Sequence, residues 1–168
     1  MYNVHKLVLV VCVISTAAMS GCASFYIQPK PEEDSAQLHI LSGHTGAFTA
    51  NTYSVVTDET CSNEPARWLA GFSWASGSEE TVRLSPNKRI FIVASIIHNG
   101  AGPYHDGFIT MRTQSCRNLA SFVPEINHRY EITQKSTTSG CYLSLIDLSK
   151  NEAPSSFVFH PFPTCKTK

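Results

Sequence analysis

Thiols and imidazoles are the side chains of this 168-residue chain best suited to chemistry. Six cysteines stand at Cys12, Cys22, Cys61, Cys116, Cys141 and Cys165. A thiolate can attack a carbonyl, hold a zinc ion, accept a lipid or oxidise to a disulfide. No two cysteines are spaced as CxxC, so a zinc ribbon or a thioredoxin-like redox centre is not expected. The histidines are scattered, with no HxH pair, and the tightest cluster is His98, His105 and Asp106 in HNGAGPYHD. Gly100, Gly102 and Pro103 would let a hairpin bring His98 and His105 together, and neutral imidazole binds zinc or copper. A loop of that composition is more often a solvated turn, so neither metal nor other cofactor is expected. The chain has no GxSxG, no HExxH, no Walker A and no dinucleotide glycine motif. Its serines fall in turns and on polar strand faces, and no catalytic residue is assigned: the expectation is a protein that is not an enzyme.

Cys22 has a different context. Lys6 supplies one positive charge, and residues 7–19 (LVLVVCVISTAAM) form an apolar run free of charge. At 13 residues the run falls short of the roughly 20 that span a bilayer, and small residues follow it, as in a secretory signal peptide. The stretch Met19-Ser20-Gly21-Cys22 resembles the lipobox of Gram-negative bacterial lipoproteins, with Met19 where Leu is usual. The resemblance covers residues 1–22 and implies removal of 1–21 and lipidation of Cys22. Two or three acyl chains would make that anchor stable. Ala23, where an Asp favours inner-membrane retention, implies the outer membrane, at its periplasmic face. Residues 22–36, with two prolines and three consecutive acids, read as a flexible tether without packing that holds the domain clear of the lipid.

The 147 residues left by that cut suit one domain with a real core. Lys6 is lost, leaving 12 basic against 13 acidic residues; no basic patch argues for nucleic acid. Four cysteines remain besides Cys22, an even number in an exported chain, which predicts two disulfides. Three pairings are open. The preferred one joins Cys61 to Cys116 and Cys141 to Cys165, the last bridge pinning the C-terminal tail.

Strand patterns fill the rest of the chain. They are expected at 37–41, 52–57, 81–84, 89–97, 107–113, 120–123, 129–134, 141–148 and 156–160, the last an edge strand stopped by Pro161 and Pro163. Residues 64–72 (EPARWLAGF) suit one helical turn or a loop, and Ser85-Pro86-Asn87-Lys88 a tight turn with Asn at positive φ. Short strands with regular turns predict an all-β, two-sheet antiparallel sandwich over 37–168, stapled by disulfides. The layout of 81–148, through the PEINHRY corner to the cysteine hairpin, resembles transthyretin-like or immunoglobulin-like sandwiches of small Gram-negative lipoproteins. Such likeness implies fold more than activity.

Exposed aromatics at one end of such a sandwich would mark a binding surface, and the candidates are Trp68, Phe72, Trp74, Tyr104, His105 and Phe108. The expected function is that of a lipid-anchored, non-enzymatic lipoprotein that binds another envelope protein or component. A second expectation is an inhibitor of a hostile enzyme such as lysozyme, with Leu41-Ser42-Gly43-His44 as a loose inhibitory loop. A metal-binding protein or hydrolase ranks below both. Glu125 and Arg129 could pair across the 124–128 corner, which is assigned a structural role.

Overall fold

A computed structural model describes residues 24–43, 47–60, 66–73, 75–105, 108–137 and 140–160; within 101–112 only the backbone is considered. Nine strands follow one another: β1 Ala36–Ser42, β2 Thr49–Val56, β3 Arg67–Ser73, β4 Glu79–Leu84, β5 Ile90–His105, β6 Phe108–Phe122, β7 Arg129–Thr137, β8 Gly140–Asp147 and β9 Val158–His160. They form two sheets, ordered β4-β1-β7-β8 and β3-β2-β5-β6-β9, with no helix among the described residues. None of the described residues therefore forms a helix long and apolar enough to cross a membrane. The two-sheet all-β sandwich is as expected. One pairing departs from a wholly antiparallel arrangement: β1 runs antiparallel to β4 but parallel to β7, with Gln37 opposite Arg129 and Ser42 opposite Gln134.

Period-two alternation explains how the sheets face each other. Ala36, Leu38 and Ile40 of β1 are buried, as are Tyr130 and Ile132 of β7, Val82 and Leu84 of β4, and Leu143 and Leu145 of β8. Opposite them lie Tyr53, Phe72, Ile90, Ile92, Ala94, Ala120 and Phe122. Phe122 meets Tyr130 edge-on at 5.0 Å between ring centroids. The interior changes character along the strands. Around Phe122 and Tyr130 it is apolar; toward the start of β2 it becomes polar, with Thr49, Asn51, Asn118 and Gln134 all buried.

Three expectations need correction. Residues 67–73 form β3, not a helical turn. A bulge opposite Tyr53 and Ser54 inserts Leu69, so Leu69 and Ala70 are both buried and the alternation that marks a strand is lost to the eye. Within the loop expected at 98–106, His98 to Ala101, Tyr104 and His105 are instead paired to β6, with a register shift across Gly102 and Pro103. Strands expected separately at 107–113 and 120–123 are one strand, β6, paired to β5 from Ile90↔Phe122 to His105↔Phe108. Residues 24–35, read as unpacked tether, lie on the domain. Tyr26 N–H donates to the Trp68 carbonyl at 2.9 Å and Trp68 N–H to the Ser24 carbonyl at 2.8 Å. The Gln28 side-chain carbonyl accepts Arg83 N–H at 2.8 Å, and Arg83 Nε donates to the Pro29 carbonyl at 2.9 Å. Prolines and acids argue against a strand, but these backbone and amide groups find partners along the open β3–β4 side. The packed domain therefore starts at Ser24 rather than at residue 37.

The disulfide pairing is also corrected. Cys116 of β6 is bonded to Cys141 of β8, with Cα atoms 6.1 Å apart, so neither Cys61–Cys116 nor Cys141–Cys165 is formed. Strand register decides this: Cys116 lies opposite Ile96, an inward position of β5, and Cys141 opposite Ser136 at the start of β8. The bridge thus ties one sheet to the other. Cys22, Cys61 and Cys165 lie outside the described residues.

Candidate functional site

The polar end of the sandwich carries its most distinctive geometry. β2 accompanies β5 only as far as the pair Thr49↔His98. Beyond it, among the described strands, β5 and β6 pair only with each other, through Asn99↔Thr113, Gly100↔Arg112 and Ala101↔Met111, and after a register shift through Tyr104↔Ile109 and His105↔Phe108. The result is a two-stranded arm that extends about 20 Å past the sheet at roughly 3.3 Å per residue. Its root is marked by Phe48, which is 66% exposed and held at φ 63°. A bulky aromatic rarely adopts that left-handed conformation, and such strain concentrates where a surface is built for binding. The Phe48 carbonyl accepts the Asn99 N–H at 2.9 Å, fixing it to the base of the arm.

Between the arm and the β7–β8 hairpin opens a cleft of about 330 Å³, lined by Ile96, His98, Gln114, Cys116, Ser136 and Thr137 among others. His98 Nδ1 is 2.8 Å from Thr49 Oγ1. The interior beside the cleft is polar. Tyr53 crosses from one sheet to the other: its hydroxyl donates to the Leu41 carbonyl and accepts Gln134 N–H, both at 2.9 Å. Burial pushes this hydroxyl up to about 12, against the opposing influence of the Gln134 N–H and the nearby Asn51 amide. Asn118 Nδ2 and Gln134 Nε2 donate to Cys141 Sγ at 3.3 and 3.2 Å. Both polar atoms of the Asn51 amide and the Gln134 side-chain oxygen are buried without a hydrogen-bond partner. Each such group costs about 1–3 kcal/mol when left unpaired, which is a large burden for one end of a small core.

The aromatic candidates do not converge. Trp68 is 37% exposed and Phe72 is buried, set edge-on to Tyr53 at 6.3 Å; Phe72 is therefore corrected from surface to core. Its place on the inward face follows from the Leu69 bulge. Trp74 lies outside the described residues, and only the backbone of Tyr104, His105 and Phe108 is described, at the arm tip. Trp68 stands opposite Ser54, itself opposite Val93, so Tyr104 is eleven positions further along β5. At strand rise that separation is about 35 Å. His98 and His105 share β5, seven residues apart, so the hairpin does not bring them together; Asp106 lies outside the described residues. Phe48, Asn51, Asn118 and Gln134 were missed. Their signal was present: Asn51 occupies an inward position in TANTYSVV, between Thr49 and Tyr53.

A second cluster sits at the opposite end. Asp147, fully buried, has Oδ2 at 2.8 Å from His128 Nδ1, while His128 Nε2 is 3.4 Å from Glu125 Oε2. Burial raises the Asp147 carboxyl, but the His128 and Ser149 hydrogen bonds and the His128 charge outweigh it and hold the group below the usual carboxylate value. These three residues could in principle gather a cation. Yet Lys150 Nζ already binds Glu125 at 3.1 Å, so Glu125 pairs with Lys150 rather than with Arg129. Asp147 Oδ1 accepts Ser149 N–H at 2.8 Å, and the Tyr130 hydroxyl accepts Glu125 N–H at 2.9 Å. With every partner supplied from within, the cluster serves to lock the 124–128 corner against the 147–152 turn.

No protein-family model matches the chain, and no curated protein or solved structure matches it either.

Proposed function

We propose that this protein is a lipid-anchored, non-enzymatic envelope lipoprotein, tethered through Cys22 at the periplasmic face of the outer membrane, that binds another envelope protein with its arm end. The observation that carries the binding reading is the arm itself, whose residues 99–113 pair only with each other among the described strands. A lone two-stranded ribbon is marginally stable in water and offers two open edges. It is suited to a partner that adds a strand or covers its faces. Phe48 at the root and the polar cleft beside it extend the same surface. The anchor reading rests on Met19-Ser20-Gly21-Cys22. The lysozyme-inhibitor reading gains no support from local geometry, because Leu41 and Ser42 of its loop belong to β1.

The test is site-specific photocrosslinking in intact envelopes. A photoreactive phenylalanine analogue at position 104 should give a discrete adduct, while the same analogue at the exposed Gln37 should give none. A variant whose residues 100–112 are replaced by Asn-Gly keeps the Asn99↔Thr113 pair and should fold yet lose the adduct. Equal labelling at both positions would refute partner binding by the arm.

A further inference from the structure

The segment that joins the anchor to the domain has consequences for how the domain sits. This inference rests on the lipid-anchor reading of Cys22. Cys22 and Ser24 are two residues apart, so their Cα atoms are within about 7 Å of each other. Ser24 is already docked, since its carbonyl accepts Trp68 N–H. Phe25 and Trp68 form a parallel bridge, and residues opposite each other in a bridge project to the same side. Phe25 is 67% and Ile27 is 81% exposed. Tyr26, between them, points the other way, packs against the core and accepts Ser85 N–H with its hydroxyl at 3.3 Å. The Trp68 ring lies flat across Gly71, where any side chain would collide with it. Arg67, Lys88 and Arg89 line a cleft of about 370 Å³ together with Tyr26, whereas Phe25 and Trp68 line a separate hollow with Glu80.

We infer that Phe25, Ile27 and Trp68 rest in the headgroup layer of the membrane that holds the Cys22 lipid, so that the domain is seated on the bilayer rather than held clear of it. Reach supports a lipid occupant. The headgroup layer is about 5–8 Å deep on each side of the hydrocarbon, which matches the distance from Cys22 to the strip. Composition supports it as well: Trp and Phe favour that interface.

The test uses the full-length acylated protein with Trp74→Phe, which leaves Trp68 as the only tryptophan. It is reconstituted in phosphatidylethanolamine–phosphatidylglycerol vesicles with or without a lipid brominated near its headgroup. Bromine should lower Trp68 emission at least twofold. Adding Phe25→Ser and Ile27→Ser should abolish most of that quenching while the protein stays acylated, vesicle-bound and unchanged in melting temperature. Acylated, vesicle-bound protein whose Trp68 is not quenched would overturn the docking and leave the anchor standing. If Trp68 were then also shielded from iodide, a protein partner on the strip would be indicated instead. An intact mass without diacylglycerol on Cys22 would overturn the anchor reading, and the docking with it.

Discussion

Replacing Cys116 and Cys141 together by alanine cuts the described covalent link between the sheets, and its cost can be worked from the chain. The bridge closes a loop with a sequence separation of 25. The loop-closure relation for cross-linked chains gives about 3.5 kcal/mol for that length at 25 °C. Asn118 Nδ2 and Gln134 Nε2 also lose their sulfur acceptor beside amide atoms that already lack partners, which adds about 1 kcal/mol. A total of about 4.5 kcal/mol is a large part of the roughly 5–15 kcal/mol that stabilises ordinary domains. At about 3 °C per kcal/mol for this size, the melting temperature should fall by about 13 °C. The assay is urea and thermal unfolding in a Cys22→Ser background, so that both proteins are soluble, under non-reducing conditions. The denaturant slope should rise, because an uncrosslinked chain exposes more surface on unfolding. A loss under about 1 kcal/mol would refute the loop-closure argument, and a non-reduced peptide joining Cys61 to Cys116 would refute the pairing.

Three further outcomes follow from single groups. Tyr53→Phe strips the buried Gln134 N–H and Leu41 carbonyl of their cross-sheet partner and should cost about 2 kcal/mol in urea unfolding. Because the Tyr53 hydroxyl titrates at about 12 when folded and 10.0 otherwise, its share of stability is intact below pH 10 and is lost as pH rises toward 12; Tyr53→Phe should lack that alkaline loss. The Asp147 carboxyl is depressed in the fold, so its contribution is present above 3.8 and vanishes as pH falls through its lower folded value. Asp147→Asn should therefore be less stable at neutral pH by about 2 kcal/mol and decline less steeply in acid; superimposable acid profiles would contradict this. Lastly, with Cys116 and Cys141 joined, Cys61 and Cys165 are left as the second expected pair, and Glu59 and His160 near them in sequence are 3.4 Å apart. Non-reduced intact mass should lack the hydrogens of two bridges.

Strands whose inward residues alternate cleanly were legible in the sequence. Leu38 and Ile40, Val82 and Leu84, Tyr130 and Ile132, Leu143 and Leu145 all show period two, and all are buried. Asn87 also takes positive φ, at 59°, in the expected turn. What failed to show is what pairing decides. β3 hid behind the bulge at Leu69, since one inserted residue shifts every later side chain to the other face. The arm hid behind Gly100, Gly102 and Pro103, which read as loop because each is a poor strand former; the ladder runs through Gly100 and resumes at Tyr104 after a register shift across Gly102 and Pro103. Disulfide connectivity depends on register between distant strands, and spacing alone does not carry it. The candidate surface was legible only in part: Trp68 is exposed as expected, but Phe72 needed the bulge to be seen. The amides of Asn51 and Gln134 stand as polar letters beside apolar ones, and which face they take is set by register rather than by residue type.

The position of β1 governs when the chain can fold. It lies between β4 and β7, and its partner Arg129 is about 90 residues downstream of Gln37, a closure costing about 4 kcal/mol in chain entropy before any contact rewards it. β2, β3 and the β5–β6 hairpin can form from near neighbours, but the first sheet has no centre until β7 has emerged. Its formation is therefore a late event, and a slow one relative to the hairpins. A chain threaded N-terminus first would leave β1 waiting with Leu38 and Ile40 uncovered until more than half of the protein had followed, a window in which a holding chaperone would have work to do.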